Sequence, residues 1–203
     1  MLREKLRFWT LVGLWAAAVV LVGGALTSLH QPMREPEAKI LTLARGEASG
    51  SWRAVHFLSG SCGCSQRVMR HLLARGRFAA AAEEIVLVDG GEDYLEGSAA
   101  LVQRLDRAGF RVTHVRADSI SPDTGLHGVP LLVLARPDGS VAYMGGYGAG
   151  SDRDGALLEQ AKAGGALKRL GIVGCAVGAR LRGAADPLRL KYAPTDQSTR
   201  RTR

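Results

Sequence analysis

Two cysteines stand two positions apart in Ala54-Val55-His56-Phe57-Leu58-Ser59-Gly60-Ser61-Cys62-Gly63-Cys64-Ser65, where an apolar run gives way to small residues. The residues that follow, Ser65 to Arg75, place Val68, Met69, Leu72 and Leu73 at helical spacing, with Arg67, Arg70, His71 and Arg75 mostly on the other side and Gly76 as a stop. A thiol at the head of a helix meets unpaired backbone N–H groups and the positive end of the helix dipole, both of which favour thiolate over thiol. The chemistry this predicts is nucleophilic attack on a disulfide through a mixed-disulfide intermediate, with Cys62 as the attacking sulfur. Glycine and serine neighbours leave little bulk to cover that sulfur, so an accessible Cys62 is expected.

The elements around this motif predict a layered α/β domain. Trp52 to Leu58 reads as a core strand, Glu84 to Asp89 as a second buried strand, and Phe110 to Val115 as a third that alternates with period two. A helix is expected from Leu95 to Ala108, closed by Gly109, and Ala79 to Glu84 is left open between helix and strand. Strand, helix, strand, helix, strand implies parallel crossovers. Asp118 to His127 is a connection with room for one short helix. Pro130 then opens a strand from Leu131 to Ala135, and Arg136-Pro137-Asp138-Gly139 turns it into an antiparallel partner at Ser140 to Met144. Gly145 to Gly150 is expected as a flexible return, followed by helices at Asp152 to Leu170 and Ile172 to Arg182.

On these residues the chain resembles the thioredoxin superfamily over roughly residues 50–170. Cys62 takes the position of that family's nucleophilic cysteine, Ser65 that of its second cysteine, and Gly63 and Cys64 the positions between. His56 falls where many members carry a buried proton-transfer group, and Gly128-Val129-Pro130 resembles their cis-proline loop. The resemblance implies a thioredoxin-like mixed β-sheet flanked by helices, and thiol–disulfide exchange without an organic cofactor. It further implies a substrate-binding edge made by Val129, Pro130, Gly63 and Ser65, and a protein thiol or disulfide as partner.

Several roles remain open on the sequence. Two residues apart within one helix, side chains diverge by about 200°, so a Cys62–Cys64 disulfide closes only if Cys62 stands in the loop or at the helix cap. Otherwise Cys62 works alone or Cys64 acts between molecules. Cys175, the third cysteine, could be a later partner of the motif, a link to another subunit, or a small hydrophobe among Ile172, Val173 and Val177. His56 is either a proton acceptor for the thiols or a strand histidine satisfied by a neighbour. A copper-binding reading joins Cys62 and Cys64 to an imidazole from His56, His71, His114 or, best placed, His127. A catalytically degenerate module that only binds a partner is the third class.

From Phe8 to Leu29 there is no charged residue, and about 20 apolar residues suffice to cross a hydrocarbon core ~30 Å thick. Arg3, Lys5 and Arg7 precede the run, and Trp9 and Trp15 suit the interfaces. The run exceeds the apolar core of an ordinary cleaved leader, so an uncleaved signal anchor is expected. Disulfide chemistry outside the cytosol then places the domain in the periplasm or outside the cell, on the inner (cytoplasmic) membrane. The expected organisation is a cytoplasmic 1–7, a transmembrane 8–29, a stalk over 30–50, the thioredoxin-like domain over 51–185 and a flexible basic tail over 186–203. The net charge of +8 comes from scattered Lys and Arg, three of them at Arg200, Arg201 and Arg203, with no aromatic residues interleaved. No nucleic-acid partner is therefore expected.

Overall fold

The computed structural model describes residues 2–27, 30–31, 38–46, 50–89, 98–148, 150, 152–186 and 192. Its elements in chain order are α1 (Leu2–Thr27), β1 (His30–Gln31), β2 (Arg53–Leu58), α2 (Gly63–Arg75), β3 (Ala82–Asp89), α3 (Ala99–Arg107) and β4 (Arg111–Arg116). Then follow β5 (Gly128–Val129), β6 (Leu131–Ala135), β7 (Val141–Gly145), α4 (Asp154–Lys162), β8 (Ile172–Val173), β9 (Cys175–Ala176) and α5 (Gly178–Ala185). The fold is α/β, with a mixed five-stranded sheet in the order β4-β3-β2-β6-β7. The β2–β3 and β3–β4 pairs are parallel, and β6 runs antiparallel to both β2 and β7.

Strand β2 is central and buried along its whole length, and its period-two alternation sorts side chains onto two faces. Ala54 and Leu58 join Ile85, Leu87, Leu132 and Leu134 under the helical layer, where Val68, Met69 and Leu72 of α2, Leu105 of α3, and Leu157 and Leu158 of α4 complete the cluster. Val55 and Phe57 face the other way, into a cluster with Val86, Leu131, Val133, Leu126, Val129, Ile172 and Val177. That second face is closed largely by turns and by the two-residue bridges near the C-terminus. Cys62 belongs to it.

Helix α1 contains the one stretch among the described residues that is long and apolar enough to cross a membrane, Arg7–Ala25, with a mean hydropathy of 1.9. None of that stretch is buried against the rest of the protein. The expected stalk is more than a linker. Its 3-10 turn Ala38–Leu43 buries Ile40 completely, Glu84 accepts the backbone N–H groups of Arg45 (2.7 Å) and Gly46 (2.9 Å), and β1 pairs antiparallel with β8. The expected start of the second helix at Leu95 and most of the tail lie outside the described residues.

Two expected helices are corrected. The one predicted from Asp152 to Leu170 ends at Lys162, because Gly164 takes a left-handed conformation (φ 71°) and Gly165 follows it. The one predicted from Ile172 to Arg182 is instead β8, β9 and the shorter α5. The β-branched residues Ile172, Val173 and Val177 favour extended backbone, and Gly171, Gly174 and Gly178 interrupt the run. Gly174 also has a steric reason: a Cβ there would sit 1.9 Å from the Val129 carbonyl oxygen and 2.7 Å from Pro130 Cδ. No residue with a side chain fits between this segment and the loop beneath it. Gly174→Ala is expected to destabilise the protein by about 1–3 kcal/mol and to lift β9 off that loop, read by urea denaturation of the detergent-solubilised chain.

Candidate functional site

Cys62 is the N-cap residue of α2, with extended backbone (φ −99°, ψ 114°), and its carbonyl accepts the first helical bond from Gln66 N–H at 2.9 Å. The helix begins two residues earlier than the sequence predicts, at Gly63, so Cys64 lies within its first turn. The Val129–Pro130 peptide bond is cis, as the resemblance implies, and the Cys62 Sγ lies 3.9 Å from the Val129 carbonyl oxygen. The strand end, the helix start and the proline loop therefore meet at one sulfur.

The expected accessibility is corrected. Cys62 is only 1% exposed. Its sequence neighbours are small, but the cover comes from elsewhere: Val129, Leu126, Ile172 and Val177 lie in the same cluster, and β9 runs across the proline loop. In the β5–β9 bridge Val129 stands opposite Cys175 and Gly128 opposite Ala176. Of the expected substrate edge of Val129, Pro130, Gly63 and Ser65, the Val129 backbone is thus paired with this chain's own C-terminal segment. Nearby, Val177 N–H donates to the His127 carbonyl at 3.1 Å.

The Cys62 thiol is lowered to about 5. A hydrogen bond from the Cys175 side chain contributes most; burial opposes it, and the backbone N–H of Ser65, the Ser65 hydroxyl and the backbone N–H of Cys64 add to the lowering. The Ser65 hydroxyl is fully buried and finds no hydrogen-bond partner among the described residues, which leaves it a donor available to a sulfur anion. This donor set suits a sulfur anion. All three cysteines are thiols, Cys62 buried and Cys64 and Cys175 partly exposed.

His56 does not join the thiols. It lies on the helical face of β2, fully buried, with Nδ1 2.5 Å from the Tyr147 hydroxyl and Nε2 2.8 Å from Glu83. A carboxylate only accepts, so Nε2 carries a proton on that side. The role of proton acceptor for Cys62 therefore finds no contact in the structure. Sequence reasoning missed the group around this histidine. Arg75, at the end of α2, donates to Asp154 through Nε (2.9 Å) and Nη2 (2.7 Å) and also pairs with Glu83. His71 Nε2 lies 2.8 Å from Asp154. Burial pushes Glu83 upward, but hydrogen bonds from His56 and Arg75 outweigh it and hold the carboxyl at about 2. Asp154 is likewise lowered, burial being outweighed by His56 and Arg75.

His56, Glu83 and Asp154 offer ligand atoms within 4.8 Å of one another, a possible metal triad and the one such group among the described residues. The fit to a metal is poor, because the Arg75 guanidinium already supplies the cation between the two carboxylates. Copper fits less well still, since the triad offers nitrogen and oxygen donors where Cu(I) favours sulfur. The set of Cys62, Cys64 and His127 expected for copper does not converge to within that distance.

No protein-family model and no curated protein sequence matches this chain. Among solved structures it is similar to an uncharacterized conserved protein from Geobacillus kaustophilus, with a TM-score of 0.51 at 14% identity over 64% of this chain and 77% of that one. It also matches a hypothetical protein from Sinorhizobium meliloti 1021, with a TM-score of 0.46 at 12% identity over 74% of this chain and 91% of that one. The first likeness is one of fold.

Proposed function

We propose that this chain is a membrane-anchored thiol–disulfide oxidoreductase with a thioredoxin-like domain working outside the cytoplasmic membrane. The observation that carries the reading is the setting of Cys62: it is the N-cap residue of α2, and the Cys175 side chain, the Ser65 hydroxyl and the backbone N–H groups of Ser65 and Cys64 lower its thiol to about 5. A low-pKa thiolate is both the nucleophile and the better leaving group in disulfide exchange. Helix α1 supports the anchor by length and composition, and thiol–disulfide couples persist in exported compartments. The partner is a protein thiol or disulfide, and no organic cofactor is needed.

The test is a pH titration of ultraviolet thiolate absorbance, taken as the difference between the reduced wild type and Cys62→Ser. A midpoint near 5 is expected, against about 8.5 for an unperturbed cysteine. A midpoint above about 8 would remove the basis for the chemistry. The same titration on Gly174→Ala should move the midpoint upward, because displacing β9 takes the Cys175 donor away from the sulfur.

A further inference from the structure

We infer that Cys62 and Cys175 are the two sulfurs of one reversible disulfide, and that Cys175 is the sulfur which exchange partners meet. This rests on the thiol–disulfide reading and adds to it a second reacting residue and a direction of electron flow.

The placement is backbone-determined. Cys175 stands opposite Val129 in the β5–β9 bridge, and the carbonyl of that same Val129 is 3.9 Å from Cys62 Sγ. Cys62 and Cys175 also pack in the same apolar cluster, and the Cys175 thiol is the largest influence lowering Cys62. Gly174, with no space for a Cβ against Val129 and Pro130, lets the neighbouring cysteine come this close. Closing the bond requires the two sulfurs to reach a separation of about 2 Å. Cys64 lies in the first turn of α2 with Cys62 at its cap, so a Cys62–Cys64 ring is the competing pairing that peptide mapping must distinguish. Cys64 influences the Cys62 sulfur through its backbone N–H.

Access decides which sulfur does what. Cys62 is 1% exposed while Cys175 is partly open to solvent. In the oxidised protein a partner thiolate attacks the Cys175 sulfur, forming a mixed disulfide and expelling Cys62 as a thiolate. A second thiol of the partner, as thiolate, then attacks its own sulfur in the mixed disulfide and releases Cys175, which takes up a proton. The net change is oxidation of a partner dithiol to a disulfide and two-electron reduction of Cys62–Cys175 to a thiolate and a thiol. The couple is reset by exchange with a more oxidising disulfide of the same compartment. Stabilisation of the leaving thiolate favours the reduced protein, so the oxidised form is an oxidant.

The test uses the full chain in detergent micelles, oxidised with glutathione disulfide, quenched by alkylation and mapped by peptide mass. Oxidation of a synthetic dithiol peptide is followed for wild type, Cys64→Ser and Cys175→Ser. The expected result is a Cys62–Cys175 cross-linked peptide in wild type and Cys64→Ser. The peptide-oxidation rate should stay within about 3-fold of wild type in Cys64→Ser and fall about 100-fold in Cys175→Ser. A Cys62–Cys64 link, with the rate retained in Cys175→Ser, overturns this inference and leaves the exchange function standing. A Cys62–Cys175 link in wild type with no oxidation of the dithiol overturns the exchange function itself and leaves a structural disulfide. The wild-type map needs no variant to fold.

Discussion

Cys62→Ser is expected to reduce the rate of the proposed disulfide exchange on the order of 10³-fold or more, while leaving far-ultraviolet circular dichroism unchanged. Serine has nearly the shape of cysteine but is a far poorer nucleophile and leaving group at neutral pH, so the loss falls on chemistry and not on packing. Exchange retained within about 3-fold would mean that another sulfur does the work. The substitution also has a signature in stability. For the reduced protein the unfolded thiol lies near 9.0 and the folded one at about 5. A depressed acid contributes stability that is fully present above the unfolded value and is lost as pH falls toward the folded one. The stability difference between reduced wild type and Cys62→Ser should therefore shrink steadily from about pH 9 to about pH 5. In the oxidised protein, where Cys62 has no proton to lose, the same titration should be flat.

The placement of Cys62 at the head of a helix was legible in the sequence because its signals are local. An apolar strand end, small residues and a helix of clear 3.6 periodicity stand within Ala54 to Arg75, and β2 and α2 appear there with a shift of one or two residues at their starts. The strand order is consistent with the βαβ pattern and with the turn at Arg136 to Gly139. The cover over Cys62 was not legible. It depends on β9, a two-residue bridge far along the chain, too short to show any period. Ile172, Val173 and Val177 suit a helix face and a strand equally in number, and only Gly171, Gly174 and Gly178 signalled that the run is broken. The burial of Ile40 was half legible: Ile40, Leu41 and Leu43 mark a short element between Lys39 and Arg45, but nothing local says what it packs against.

The charged group beneath the sheet was missed because its members come from four separate elements. Glu83 gave a faint sign, as the first of two acids, Glu83 and Glu84, that lead into the apolar run Ile85 to Val88. A strand that begins at Ala82 and buries both Glu83 and Glu84 must provide them with donors. Glu84 finds the backbone of Arg45 and Gly46 and the Thr113 hydroxyl (3.0 Å). Glu83 finds His56, Arg75 and the Phe78 N–H at 3.0 Å. His56 is thus a structural residue that holds β2 to this group, and its position along the chain relative to Cys62 conveyed nothing about contact.

Arg75→Met should be the most destabilising single change in the domain, by about 3–5 kcal/mol. The guanidinium is the only Arg or Lys side chain paired with Glu83 and Asp154 among the described residues, and it also lies 3.8 Å from the centroid of the Phe78 ring. Removing it leaves two buried carboxylates with less compensation than their burial demands, whereas methionine restores only the apolar volume. The pH dependence distinguishes this from a simple packing loss. In the wild type Glu83 has a folded value of about 2 against 4.5 unfolded, so its contribution is present above about 4.5 and is lost as pH falls toward 2. In Arg75→Met both carboxyls lose that counter-charge, so their folded values rise and less of their contribution remains to be lost in acid. The gap between variant and wild type should therefore narrow as pH falls through about 4.5 toward 2. Adding Glu83→Gln and Asp154→Asn to Arg75→Met should recover stability at neutral pH, since amides need no counter-charge. Urea denaturation of the full chain in detergent measures all three proteins, and a gap that stays constant with pH would show that Arg75 acts by packing alone.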